Sequence, residues 1–247
     1  MHITTPAEIP FVIWQGELVA HTGRLIPSTS VPPVVALGQM EAWPVRDVLE
    51  IPDHGHWAPP DPEKAYWLLR QGFYLRQQSR VSNIMETQLT LYIRPDQAKD
   101  LTKVEAINVF PTMMNPDMPL KSIIALRSNL SFIGQAGLKP DEAHANIIYR
   151  RTFPIIRGYD AGTCTPHWIF KPQAQHALTG SQYIYTVIAV SSTVQRVDVI
   201  PELIVTVNTL RGPIRFGLPG AARARGRFKI PHSPHRAGEA REHHPSE

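Results

Sequence analysis

Asp53-His54-Gly55-His56 is the run of this sequence best suited to chemistry. Two imidazoles separated by one residue project to the same side of an extended strand and, with a carboxylate, could share a metal ion. A third ligand at a familiar spacing is missing, because Asp61 and Glu63 follow within a proline-rich stretch. An ordinary polar loop and a metal-dependent enzyme using Asp53, His54 and His56 are both open readings. Cys164 has His167 nearby, and such a pair can form an activated thiolate, although catalytic partners usually come from distant segments. His232, His235, His243 and His244 lie near the C-terminus without preorganised metal geometry. There is no phosphate-cradling glycine loop, no Gly-x-Ser-x-Gly elbow, no His-Glu-x-x-His and no Cys-x-x-Cys. The sequence therefore predicts a protein that is not an enzyme, with no catalytic residues, no cofactor and no metal.

The elements that would position these residues are mostly strands. Thr87 to Arg94 alternates Leu89, Leu91 and Ile93 with Gln88, Thr90 and Tyr92, which places an apolar row on one face. Gln182 to Val190 is rich in β-branched and aromatic residues, and Glu202 to Leu210 alternates Leu203, Val205 and Val207, with Pro201 at its start. Trp168 and Phe170 form a shorter alternation. Ile123 to Leu126 and Leu130 to Ile133 are also strand-like, and a further apolar run, Ile147 to Tyr149, leads into Phe153-Pro154-Ile155-Ile156. Two helices are predicted. Pro62 to Gln71 has Asp61 as cap and Gly72 as stop, with Tyr66, Leu69 and Phe73 at helical spacing. Leu101, Val104 and Ile107 recur at a short interval before Pro111.

The prediction is an α+β, β-rich single domain: a twisted, mostly antiparallel sheet with two or three short helices. Residues 1–60 form a proline-rich N-terminal arm, residues 61–212 the compact core, and residues 213–247 a basic, largely disordered tail. With 24 prolines and 15 glycines in 247 residues, turns and extended segments outweigh long helices. Hydrophobic residues at 43% suffice for a sizeable core. Cys164 is the sole cysteine, which excludes an intramolecular disulfide and fits a reducing compartment. Met1 to Trp14, interrupted by Pro6, Glu8 and Pro10, does not read as a signal peptide, and no run is long enough to cross a bilayer as a helix. A non-secreted protein with at most peripheral membrane contact is expected.

The net charge of +4 is compatible with a polyanionic partner. Arg211, Arg215, Arg223, Arg225, Arg227 and Lys229 occur with no acid until Glu239, and their guanidinium forks suit phosphate groups of anionic lipid or RNA. Met113, Met114 and Met118, around Pro116, mark an irregular surface loop with apolar residues, open to two readings, a packed loop and a self-association patch. No small-molecule substrate is expected.

The order of features resembles that of rhabdovirus-type matrix proteins of negative-strand RNA viruses. The resemblance covers residues 58–210 and rests on Ala58-Pro59-Pro60-Asp61-Pro62, the strand Thr87 to Ile93 and the segment Leu101 to Phe110. It continues through Leu120-Lys121-Ser122-Ile123-Ile124-Ala125-Leu126 and Tyr149-Arg150-Arg151-Thr152-Phe153-Pro154-Ile155. It implies a self-associating matrix domain that bridges a nucleocapsid or RNA to an anionic membrane and supports budding, located in the virion and the host cytoplasm. Two features depart from that pattern: the leader lacks Pro-Pro-x-Tyr, and the dense basic run lies C-terminally. The alternative expectation is a cellular β-sandwich interaction module with a solubilising basic tail.

Overall fold

The computed structural model describes residues 2–3, 12–20, 32–50, 58–76, 83–96, 101–114, 124–126, 132–134, 155–172, 178, 180–209, 212–220 and 226–230. In chain order the strands begin β1 (His2–Ile3), β2 (Val12–Glu17), β3 (Val19–Ala20), β4 (Val34–Gly38) and β5 (Glu41–Pro44). A four-residue helix α1 (Val45–Val48) precedes β6 (Leu49–Glu50), β7 (Lys64–Arg76), β8 (Asn83–Pro95) and β9 (Val104–Phe110). There follow β10 (Met113–Met114), β11 (Ile124–Leu126), β12 (Phe132–Gly134), β13 (Ile155–Tyr159) and β14 (His167–Lys171). The last are β15 (Gly180–Ser191), β16 (Arg196–Thr209), β17 (Gly212–Gly217) and β18 (Gly226–Lys229).

Two antiparallel sheets pack face to face. Sheet I runs β2-β4-β7-β15-β9, with β5 also on β7; sheet II runs β10-β13-β14-β8-β16-β17-β3, with β18 also on β16. A small third sheet has the order β12-β11-β1-β6. The inner faces meet through Leu69, Phe73, Ile184 and Ile188 of sheet I and Leu89, Leu91, Trp168, Phe170, Leu203 and Val205 of sheet II. Phe73 meets Phe170 edge-on with centroids 5.1 Å apart, and Trp67 lies 4.9 Å from Phe228, so aromatic contacts join the sheets at both ends.

The predicted β-rich, antiparallel character is observed. The expected helices are not: Lys64–Arg76 is a strand, and Leu101–Lys103 is one turn of 3-10 helix leading directly into strand β9. The reason is burial on both faces. In β7, Tyr66 and Leu68 pack on the outer side with Val45, Val48 and Val187, while Leu69 and Phe73 enter the inter-sheet core. Apolar residues on consecutive positions hide the two-residue period, and an accidental helical spacing remains. Among the described residues the only α-helix is α1.

The predicted strands around Leu89, Trp168, Ile184 and Val205 are all present, and those around Leu89, Ile184 and Val205 are longer than predicted. Strand β16 starts at Arg196 and runs straight through Pro201. Pro201 falls between the stretch paired to β18, Arg196–Val199, and the stretch paired to β17, Ile204–Thr209. Its missing N–H thus sits in a gap of the ladder. The first sixty residues, expected as an arm, contribute β2, β4 and β5 to sheet I. Gly212–Gly217 and Gly226–Lys229, expected within a disordered tail, are ordered strands of sheet II.

Candidate functional site

The outer face of sheet II is set by its register. Along β8 the residues Glu86, Gln88, Thr90, Tyr92 and Arg94 point away from the core, because Leu89, Leu91 and Ile93 point into it. Opposite them on β16 stand Thr206, Ile204, Glu202, Ile200 and Asp198. One row across the sheet continues from Thr206 to Arg215 on β17 and is flanked by Lys171, whose Nζ lies 3.3 Å from Glu86. A middle row runs from Glu202 through Thr90 and His167 to Tyr159. A third runs from Arg94 through Asp198 to Arg227, with Arg196 opposite Lys229 beside it.

Cations outnumber acids on this face: Arg94, Arg157, Lys171, Arg196, Arg215, Arg227 and Lys229 stand against Glu86, Asp198 and Glu202, with Asp160 held to His167 beside them. Arg227 donates from Nε to Asp198 Oδ1 at 2.8 Å and from Nη2 to Oδ2 at 3.3 Å. That hydrogen bond, followed by the carboxylate's charge, raises the Arg227 pKa above its usual range. The Tyr92 hydroxyl donates to Glu202 at 2.8 Å. An antiparallel sheet with one solvated face is the local reason that polar residues alternate with core residues here.

Of the predicted anionic contacts, Arg215, Arg227 and Lys229 are described, and all three are exposed on this face. They do not form one patch. Arg215 is level with Thr206 and Arg227 with Asp198, eight residues along β16 and so about 26 Å apart at ~3.3 Å per residue. Arg211, Arg223 and Arg225 lie outside the described residues, as do Asp53, His54, His56, Met118 and the C-terminal histidines. Met113 and Met114 form β10, the terminal strand of sheet II among the described residues, paired with Ile156 and Arg157 of β13.

His167 Nδ1 lies 2.9 Å from Asp160 Oδ2, and its ring stacks on Tyr159 with centroids 5.0 Å apart. The imidazole is therefore tied to a carboxylate and not to the Cys164 thiol. Cys164 is half-buried, and its carbonyl accepts a hydrogen bond from the Ile93 N–H at 2.9 Å. Among the described residues no cluster of three or more metal-ligating side chains occurs.

Sequence reasoning missed a second polar cluster, on the outer face of sheet I. Arg70 Nε donates to Glu41 Oε2 at 2.6 Å, and the guanidinium lies 5.2 Å from the Trp43 ring centre and 5.9 Å from that of Tyr183. The Arg70 side chain is only 6% exposed. Burial works to lower its pKa, but hydrogen bonds to Glu41 and Tyr185 and their charges outweigh burial and hold it above the usual value. This is a braced charge within an aromatic surround, suited to fixing β5 on β7.

No family model matches the sequence, and no curated protein sequence matches it. Solved structures do resemble it. One is a pore-forming protein, 8% identical over 84% of this chain and 94% of that chain, with a TM-score of 0.39. Another is Clostridium perfringens delta-toxin, 5% identical over 79% of this chain and 88% of that one, with a TM-score of 0.36. A third is the Clostridium perfringens NetB toxin in its membrane-inserted form, 9% identical over 80% and 95%, with a TM-score of 0.34. Likeness at this level carries no statement of activity to the present chain.

None of these three is a matrix protein, and the expected viral matrix identity is corrected on that finding. With it go the virion, the nucleocapsid bridge and budding. The fold agrees, since residues 64–71 and 104–110, within the segments expected as helices, belong to strands of a two-sheet sandwich.

Proposed function

We propose that this chain is a non-catalytic β-sandwich protein that self-associates and docks on an anionic membrane surface through the outer face of sheet II. The observation that carries this reading is the excess of cations which the strand register gathers on one solvated face, from Arg94, Lys171, Arg215, Arg227 and Lys229 among others. Each lysine or arginine held near an anionic bilayer contributes about 1 kcal/mol of attraction, which falls off within a Debye length of about 8 Å at physiological salt. Several such residues on one face are enough for reversible attachment. Among the described residues no helix is long and apolar enough to cross a membrane, which says nothing of strands.

The test is vesicle flotation with phosphatidylserine-containing and purely phosphatidylcholine vesicles, at low and physiological salt. The full chain is compared with the triple variant Arg215→Glu, Arg227→Glu, Lys229→Glu. Binding should require anionic lipid, weaken with salt and drop at least about tenfold in the variant. Equal binding to neutral vesicles, or none to either, would sink the proposal. Release of an entrapped dye in the same samples shows whether docking proceeds to permeabilisation.

A further inference from the structure

Charged residues set directly opposite one another on neighbouring strands are ordinarily of opposite sign, because like charges at that distance repel. The described strands keep to this where Glu41 faces Arg70, and at Asp198, which has Arg94 on one side and Arg227 on the other. Arg196 breaks it. Its partner across the β16–β18 ladder is Lys229, a second cation, with backbones only ~5 Å apart. Both side chains lie on the outer, solvated face of sheet II, since Val197 and Ile230 beside them are buried.

The neighbouring acids do not relieve this pair. Asp198 stands two residues along β16, but its two oxygens accept from Arg227 at 2.8 and 3.3 Å. Arg196 Nε stops at 3.9 Å from the same carboxylate, beyond hydrogen-bond reach, and this water-shielded atom has no hydrogen-bond partner among the described residues. Asp96 lies on the β8 side of Arg196, away from Lys229, where its N–H donates to the Arg196 carbonyl at 2.9 Å. Among the described residues no carboxylate pairs with Lys229. The Asp198 side chain is 18% exposed, against 42% for Arg196 and 50% for Arg227. The carboxylate is thus a floor that braces Arg227, and the cations form a rim above it.

We infer that Arg196 and Lys229, with Arg227 at their side, form a subsite for a phosphomonoester carried on a lipid headgroup, as in a phosphorylated inositol lipid. The inference deepens the membrane-docking reading above and rests on it for the lipid. A phosphomonoester holds nearly two negative charges near pH 7 and three acceptor oxygens, so one group neutralises both opposed cations. The arginine fork takes two of those oxygens and the lysine supplies a point charge to the third. A phosphodiester, with a single charge, leaves one cation uncompensated. A sheet that sets two cations against each other gives up local stability, and such departures from good pairing fall at binding sites.

The experiment compares flotation on phosphatidylcholine vesicles containing phosphatidylinositol 4-phosphate with flotation on vesicles containing phosphatidylserine, at equal surface charge. The full chain should bind the first at least about tenfold more tightly. Arg196→Gln and Lys229→Gln should each bring that ratio close to one. Arg215→Gln removes the same charge elsewhere on the face, so it should weaken both kinds of binding by about fivefold and keep the ratio. A ratio that survives Arg196→Gln and Lys229→Gln would overturn the inference. A second readout needs no membrane. Soluble inositol 1,4,5-trisphosphate should raise the melting temperature of the full chain saturably and that of Lys229→Gln not at all. An equal rise with sulfate at the same ionic strength would reduce the effect to general anion screening and overturn the subsite. A specific rise without flotation on any vesicle would sink the docking reading and keep the phosphate subsite. A specific rise with a lipid ratio near one would overturn the lipid source and assign the site to free inositol phosphates. Flotation with a ratio near one and no rise would overturn the subsite and leave docking standing.

Discussion

Arg70 shows how a charge is kept within the outer face of a sheet. Its guanidinium is almost removed from water, is hydrogen-bonded to Glu41 at 2.6 Å and has Trp43 and Tyr183 about it. Removing one partner of a buried ion pair costs more than the pair contributes, because the remaining charge stays desolvated. Glu41→Ala should therefore lower stability by about 3 kcal/mol in urea unfolding, and Glu41→Gln, which keeps an acceptor, by less. A second consequence concerns alkaline pH. Burial raises the phenols of Tyr66 and Tyr183 above the ordinary tyrosine value, with the nearby Arg70 charge acting against the rise for Tyr183. A group with a raised folded pKa contributes stability that is complete below its unfolded value, about 10, and is lost as pH climbs through the folded one. Stability measured across that alkaline window should fall, and Tyr183→Phe should remove part of the fall. None of this cluster was legible in the sequence, since Glu41 and Arg70 lie 29 residues apart and only the pairing of β5 with β7 brings them together.

At the scale of elements, legibility followed how many faces of a strand are buried. Strands β8, β14 and β16 each have one solvated face, so their alternation could be read directly, and the predicted apolar rows of Leu89, Trp168 and Leu203 are the buried ones. Strand β7 is buried on both faces, and β9 has Val104 in one core and Ile107 against the other, so both were read as helices. The basic segment was read as a tail because glycine and proline punctuate it. The structure uses those residues to separate two short strands, β17 and β18, on the same edge of β16. Another join turns on close backbone approach. A Cβ at Gly158 would lie 2.6 Å from the Pro111 carbonyl oxygen and 3.1 Å from Trp168 Nε1, where the Gly158 N–H donates to Thr112. Backbone cannot give way as the end of a side chain can. Gly158→Ala should cost about 1 to 3 kcal/mol and loosen β13 from the 110–114 crossing, which amide hydrogen exchange at Gly158 and its neighbours would register.

At the scale of the molecule, each side of the sandwich is closed by one continuous segment. Among the described residues, Val12–Ala20 supplies the terminal strand of sheet I and then that of sheet II, and Val104–Met114 does the same on the other side. The two sides are not equivalent. The Val104–Met114 side is held from outside by the β13–β14 turn: the Ala106 N–H donates to Thr163 at 2.8 Å, and the Gly162 N–H donates to Ala106 at 2.7 Å. On the Val12–Ala20 side, β2 leaves Val12 50% and Ile13 42% exposed on a terminal strand. A terminal strand with apolar side chains is a template for pairing with another chain, and a lysine there is a common way to block it. Self-association should therefore run through β2, with a second copy of β2 continuing sheet I about a two-fold axis. Ile13→Lys should move the midpoint of association, followed by light scattering over a dilution series, to at least about tenfold higher concentration. Met113→Lys, on the opposite side in β10, should leave it unchanged. Loss of association in the Met113 variant alone would put the interface on the methionine strand, where the sequence first suggested it.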